Sequence, residues 1–274
     1  MVTQEQRRRQ LAREKFLRQQ QRRTSARRKA RMRNAAIASV LGVILIGSVA
    51  LYTTGVVLDD GDSKTNANAE VTPSASASSK APDPCEKPAE GKVKTQTWKK
   101  EPAMTIDKSA KYTMKLATTC GDIDIALKTS AAPHTVNSFN FLAGKGFFDH
   151  TPCHRLTTNG IYVLQCGDPT GQGNGGPGYN IPDENLKDKS LKDNMYPAGT
   201  VAMANTSQPN TGGSQFFLVY QNSPLPPSYT PFGTISDEGM TVLKKIAAAG
   251  ESTGAGDGAP NATVVIDKAT VTKS

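Results

Sequence analysis

Two short segments hold most of the side chains that could do chemistry. Residues 153–168, CHRLTTNGIYVLQCGD, carry a single arginine, Arg155, among apolar and hydroxyl residues, then a glutamine, Gln165, in a β-like run. Residues 203–219, MANTSQPNTGGSQFFLV, carry Ala204, Asn205, Gln215, Phe216 and Phe217, with Gly212 and Gly213 where the backbone must turn sharply. One fixed cation, several amide groups and an aromatic floor make a poor hydrolase. They suit a pocket for a small apolar ring joined to an amide.

Other chemistries find less support. Cys153 and His154 are adjacent, but neighbours on a strand point to opposite faces and cannot easily share a proton, which argues against a thiol nucleophile. The four cysteines form no CxxC pair beside His134, His150 and His154, so no metal and no cofactor is expected. The run GQGNGGPG at 171–178 lacks the Lys-Ser/Thr ending and the strand-to-helix context of a nucleotide-binding loop, and reads as a rim loop.

Several elements must position these segments. Residues 112–117 and 123–127 alternate apolar and polar with a turn signal between them, an opening hairpin. Residues 132–142 switch to helical spacing, with Val136, Phe139 and Leu142 on one face, Pro133 in the first turn and Gly144 at the end. Further strands are expected at 200–204 and 215–220, a loop over 185–197, a second short helix over 240–249, and closing strands at 264–266 and 270–272. Strands dominate, two helices interrupt them and no βαβ alternation appears, so the pattern predicts an antiparallel barrel or sandwich.

The front of the chain differs in kind. Residues 1–34 hold 13 Lys/Arg and two Glu, whereas the remaining 240 residues hold 20 Lys/Arg against 22 Asp/Glu, so the net charge of +9 belongs to a tail. Residues 35–58 carry no charge, and as a helix they would reach about 36 Å, enough to cross a bilayer core of about 30 Å. The basic tail before this run predicts a single-pass anchor with the N-terminus cytoplasmic, the tail on anionic lipid and everything after residue 58 outside. The competing reading is a cleavable signal peptide, but the basic region and the apolar run are both long for one. Nucleic-acid binding by the tail is a weaker alternative, because it lacks aromatic platforms. Residues 59–108 are polar and rich in Ser, Ala, Pro, Asp and Lys, and are expected to be a mostly disordered linker, with the end near Trp98 docking onto the domain.

Four cysteines, Cys85, Cys120, Cys153 and Cys166, would lie outside the cell, where disulfides persist. They allow three connectivities, and the sequence alone does not choose. If the strands of Arg155 and Gln165 pair antiparallel, Cys153 and Cys166 fall near opposite positions, which leaves Cys85 for Cys120.

His154-Arg155, Gln165-Cys166-Gly167-Asp168, Met203-Ala204-Asn205 and Gly213-Ser214-Gln215-Phe216-Phe217 stand in the order, and at nearly the spacing, of the signature segments of cyclophilin-type peptidyl-prolyl cis-trans isomerases. The resemblance runs from about residue 112 to the end and is to a membrane-anchored bacterial form. It implies a closed eight-stranded antiparallel barrel capped by two helices over 109–274. It also implies Arg155 as the catalytic cation, Asn205 and Gln165 holding substrate backbone, and Val163, Phe217 and Leu225 walling a proline pocket. By the same resemblance Gln215 buttresses the arginine, Ala204 lines the groove, and Tyr162 occupies a position normally aromatic. Three departures stand out. The interval from Arg155 to Gln165 is two residues longer than usual, Tyr229 replaces a histidine, and Pro224 stands where a tryptophan is often found. The implied function is isomerisation of X-Pro bonds in exported or cell-surface proteins, by a monomer whose partners are proline-containing polypeptides. A non-catalytic proline-peptide binding module or holdase using the same groove is the alternative.

Overall fold

The structure is a computed structural model that describes residues 82–274. The expected basic tail, the apolar run at 35–58 and the linker up to residue 81 lie outside the described residues. Among the described residues no helix is long and apolar enough to cross a membrane.

The domain opens with the expected hairpin, β1 (Tyr112–Thr118) and β2 (Gly121–Leu127), followed by α1 (Pro133–Gly144). Then come β3 (Thr151–Pro152), β4 (Arg155–Thr157), β5 (Val163–Cys166), β6 (Met195–Tyr196), β7 (Thr200–Met203), β8 (Phe216–Val219), β9 (Ser223–Pro224) and β10 (Pro231–Ile235). Helix α2 (Asp237–Ala248), β11 (Asp257–Gly258) and β12 (Val265–Lys273) complete the chain. Ten strands form one sheet in the order β11-β4-β5-β8-β7-β10-β2-β1-β12-β3, and β6 pairs with β9 separately.

The pairings are antiparallel and the sheet curls, with two helices as expected. It is not the closed eight-stranded barrel anticipated from the sequence. Residues 151–157 pass from pairing with β12 to pairing with β5, and the ladder breaks between the two pairings. Pro152 has no N–H to donate, and the next two amides diverge, Cys153 N–H to Val264 O at 2.9 Å and His154 N–H to Gln165 O at 3.1 Å. The sheet therefore ends on the short strands β3 and β11, with no ladder between them.

Helix α1 buries the predicted face. Val136, Phe139 and Leu142 are fully buried, and the Phe139 ring lies 5.2 Å from Phe148, 5.4 Å from Phe216 and 4.6 Å from Phe232. Its first turn has no local side-chain cap. The carboxylate of Glu184 takes that place, accepting from His134 N–H at 3.0 Å and Thr135 N–H at 2.9 Å, where the helix dipole favours a negative charge. Helix α2 starts earlier than expected, because Ser236 accepts from Gly239 N–H at 3.0 Å as an N-cap.

Residues 82–108, expected as the end of a mostly disordered linker, lie along the domain. Cys85 is bonded to Cys120, Glu86 N–H donates to Thr119 O at 2.8 Å, and Trp98 packs edge-on against Phe141 with ring centroids 5.1 Å apart. Ile106 is buried in the main core.

Alternation in the middle of the sheet creates two cores. Leu164, Cys166, Val201, Met203, Phe216 and Leu218 face the main core beneath α1. Their neighbours Val163, Ala202, Phe217 and Val219 face the other way and join Tyr196 in a second, smaller cluster. A sheet buried on both faces explains why these strands read as nearly continuous apolar runs. The second cluster carries the candidate site.

Candidate functional site

The register of β4, β5, β8 and β7 sets Arg155 opposite Gln165, Gln165 opposite Phe217, and Phe217 opposite Ala202. Residues paired in this way project from the same face of a sheet, so an arginine, an amide and an aromatic ring stand in one row. The two extra residues between Arg155 and Gln165 do not disturb that row. They are absorbed in the turn after β4, where Asn159 and Ile161 form an isolated bridge.

Hydrogen bonds lock the row along its length. Arg155 donates from Nη1 to Gln165 Oε1 at 3.2 Å, Gln165 Nε2 donates to Gln215 Oε1 at 2.9 Å, and Gln215 Nε2 donates to Gly175 O at 2.9 Å. On its other side Arg155 makes a bidentate pair, Nε to Asp257 Oδ1 at 2.7 Å and Nη2 to Asp257 Oδ2 at 2.8 Å. The hydrogen bonds and charge of Asp257 raise the Arg155 pKa above its ordinary value against the opposing effect of burial, so the guanidinium is a permanent cation. The hydrogen bonds from Arg155 in turn hold the Asp257 carboxyl below its usual range.

Beside the arginine lies the apolar surface. Val163 and Phe217 are nearly closed off from solvent, with Ile161, Ala204, Leu225 and Tyr229 packed against them and partly exposed. Tyr229 meets Phe217 edge-on at 5.4 Å. Its main chain is fixed by Tyr196, whose hydroxyl donates to Tyr229 O at 2.7 Å and accepts from Tyr229 N–H at 3.1 Å. Burial pushes the Tyr196 pKa up to about 12, so this hydroxyl stays neutral and able to donate. On the other side of Gln165 is a cavity of about 370 Å³, bounded by Gln165, Gly175, Tyr179, Ala204, Asn205 and Gln215. Asn205 ties two loops together there, donating to Ser228 O at 2.8 Å and accepting from Ser207 N–H at 3.0 Å.

Of the residues singled out in the sequence, the structure brings together Arg155, Val163, Gln165, Ala204, Gln215, Phe217, Leu225 and Tyr229, with Asn205 on the adjoining cavity. Tyr162 stands just before β5, next to Val163, and its ring lies against Tyr220 at 5.9 Å. Ile161 packs on the apolar cluster beside it. Cys153 is bonded to Cys166, so its sulfur is committed and cannot serve as a nucleophile. Burial lowers the pKa of the neighbouring His154, with Asp168 pulling the other way and Arg155 adding to the fall.

Two residues of the site escaped sequence reasoning, Asp257 and Tyr196. Asp257 lies 102 positions from its arginine in a Gly- and Ala-rich stretch, and nothing local marks it. Tyr196 sits where the charged stretch 185–197 reads as loop.

A family model described as cyclophilin type peptidyl-prolyl cis-trans isomerase/CLD matches residues 113–271. A probable peptidyl-prolyl cis-trans isomerase B of Mycobacterium leprae is 45% identical over 208 residues, covering 73% of this chain and 65% of that protein. Its namesake in Mycobacterium tuberculosis is 44% identical over 195 residues, covering 68% of this chain and 59% of that protein. The chain thus matches less than two thirds of the length of either relative. Among solved structures, a cyclophilin-type peptidyl-prolyl cis-trans isomerase of Cryptosporidium parvum superposes with a TM-score of 0.50 at 27% identity, covering 60% of this chain and 99% of the other.

Proposed function

This chain belongs to the cyclophilin-type peptidyl-prolyl cis-trans isomerases, and from that premise we propose that it accelerates rotation about X-Pro bonds by non-covalent means. The observation that carries the proposal is the row of Arg155, Gln165 and Phe217 beside the Val163–Leu225–Tyr229 surface.

Rotation about a peptide bond faces a barrier of about 18–20 kcal/mol because resonance resists twisting. A catalyst lowers it by binding the twisted amide better than either planar form, and it needs no nucleophile. The Phe217 floor and its aliphatic neighbours take the pyrrolidine ring. In the twisted state the prolyl nitrogen regains its lone pair and becomes a hydrogen-bond acceptor. The Arg155 guanidinium, held by Asp257 and Gln165, offers it N–H groups of fixed direction and permanent charge. The retained register of Arg155 against Gln165 supports an enzyme over a binding module, since the insertion that would have favoured the latter leaves the cation in the row.

The activity is tested by following cis-to-trans exchange of an Ala-Pro peptide with the full chain, beside Arg155→Ala and Phe217→Ala. We expect acceleration by the parent, a loss of tenfold or more for Arg155→Ala, and a raised KM for Phe217→Ala. No acceleration by the folded parent would leave the groove as a peptide-binding site only.

The proposal extends to place. The concentration of charge in residues 1–34, the uncharged run at 35–58 and four cysteines paired as disulfides support a single-pass anchor, with the domain acting outside on exported proteins. Protease added to intact cells should remove the domain and spare the tail. Full protection of the domain would refute this topology.

A further inference from the structure

The arginine of the site is braced from a direction that the sequence does not announce. Asp257 is the first residue of β11, which adds to the free edge of β4 by pairing Asp257 with Thr157 and Gly258 with Leu156. The loop that delivers it is tied to itself. The Glu251 carboxylate accepts from Thr253 N–H at 2.6 Å, Thr253 Oγ1 at 2.6 Å and Gly256 N–H at 2.9 Å. Ser252 N–H reaches Ala259 O at 2.8 Å, closing the base of the loop, and Thr253 Oγ1 also reaches Asp257 O at 3.2 Å.

The same loop rests on the lengthened turn after β4. Thr158 N–H donates to Gly256 O at 2.9 Å. Gly256 has φ +90° and no room for a side chain, because Asn159 occupies the space where a Cβ would stand. The two extra residues between Arg155 and Gln165 are thus the seat on which the Asp257 loop sits.

From this arrangement we infer that Asp257 is a positioning residue for Arg155, delivered by the Glu251-knotted loop and its seat on the 157–161 turn, and that it decides which N–H groups of the guanidinium face the groove. The inference rests on the isomerase reading above. With Nε–H and one Nη2–H committed to Asp257 and one Nη1–H to Gln165, the plane of the guanidinium is fixed from two sides. Only the N–H groups left over can meet a twisted prolyl nitrogen. Without Asp257 a single bond of 3.2 Å to Gln165 would hold the group, and the guanidinium could swing about its long side chain. A stabilising role alone does not account for the pair. Arg155 is 37% and Asp257 56% exposed in their side chains, and exposed pairs add little to stability.

The experiment uses the full chain and three proteins, the parent, Asp257→Ala and Asp257→Asn. Exchange NMR on an Ala-Pro peptide gives kcat and KM, and the ¹⁵N-resolved Nε–H signal of Arg155, assigned by its loss in Arg155→Lys, reports the brace directly. Asp257→Ala should lose about tenfold in kcat with KM within about twofold of the parent, because the donor is misplaced rather than the pocket. Asp257→Asn keeps one acceptor and should lie between. The Nε–H signal should be protected from water exchange in the parent and lost in Asp257→Ala, while the melting temperature moves by no more than a few degrees.

An unchanged kcat together with an unchanged Nε–H signal in Asp257→Ala would overturn the inference. So would a large fall in melting temperature in both variants, which would mark Asp257 as structural. If the parent itself fails to accelerate exchange, the isomerase reading falls, and the Nε–H signal alone then decides whether Asp257 fixes the arginine.

Discussion

Arg155→Lys separates the charge of the arginine from its shape. Both residues carry one positive charge at neutral pH, but a lysine gathers its donors on a single nitrogen. In the parent, Arg155 reaches Asp257 through Nε and Nη2 and Gln165 through Nη1. An ammonium cannot occupy both places and will follow the charge, which lies with Asp257 on the side away from Gln165. The prolyl nitrogen then loses a donor. A hydrogen bond to a charged group contributes roughly 1.5–3 kcal/mol. At about 1.4 kcal/mol per tenfold, that is a fall of roughly 10- to 100-fold, and it belongs in kcat because the bond forms only in the twisted state. Folding should barely respond, since the side chains of the pair are 37% and 56% exposed and such pairs contribute about 1 kcal/mol or less. Exchange NMR on an Ala-Pro peptide gives the first number and a urea titration the second. Activity within about twofold of the parent would mean that charge alone suffices, and the argument from the rigid fork would be wrong.

Three further outcomes follow from the fold. Replacing Cys85 and Cys120 together by serine should release the strap, speeding hydrogen exchange at the Glu86 and Trp98 amides that now donate to Thr119 O and Pro177 O, and lowering stability by roughly 3–4 kcal/mol. Unchanged exchange there would show that packing of Trp98 holds the strap alone. Gly233→Ala should destabilise by about 1–3 kcal/mol in a urea titration, because a Cβ there would stand 2.6 Å from Ile125 Cγ2, and a neutral result would mean that β2 and β10 can separate freely. Burial raises the Asp168 pKa, but hydrogen bonds from Thr170, Gly175 and Gly173 outweigh it and leave the group below its usual range. Its contribution is therefore complete above the ordinary carboxylate pKa and is lost as pH falls through the depressed value. The stability of Asp168→Asn should fall less between neutral and acid pH than that of the parent, and an equal slope would refute the assignment.

What was legible in the sequence was local. Period-2 alternation marked β1 and β2, helical spacing marked α1, and most of the chemistry of the groove lay within two segments that fold back on one another. The losses have particular causes. β10 begins at Pro231 and has Gly233 at its centre, residues that argue against a strand, yet the glycine is what lets β2 and β7 approach on either side. The strands β3, β6, β9 and β11 span two residues each, too short for any period to show. Ser236 followed by Asp237 and Glu238 is an N-cap with an acidic first turn, a signal that was present and would have moved the start of α2. No local rule could have found Asp257.

The site sits where it does because the sheet has two apolar faces. The large face against α1 supplies the rigidity, with Phe139, Phe148 and Phe216 packed ring on ring. On the small face Phe217 and Val163 pack with the buried Tyr196, and the partly exposed Ile161, Leu225 and Tyr229 form their outer rim. A surface of that kind would cost stability if it served no purpose, but it is the shape a pyrrolidine ring can enter. Catalysis by distortion further requires that the donor not yield when the amide twists against it. A lone arginine on a strand edge would yield. Arg155 is instead bound to Gln165, which is bound to Gln215 and through it to the backbone of Gly175, while Asp257 holds the opposite side. The stiffness of the donor is therefore a property of four elements and not of the arginine. It follows that loosening any one link should lower kcat before it affects binding.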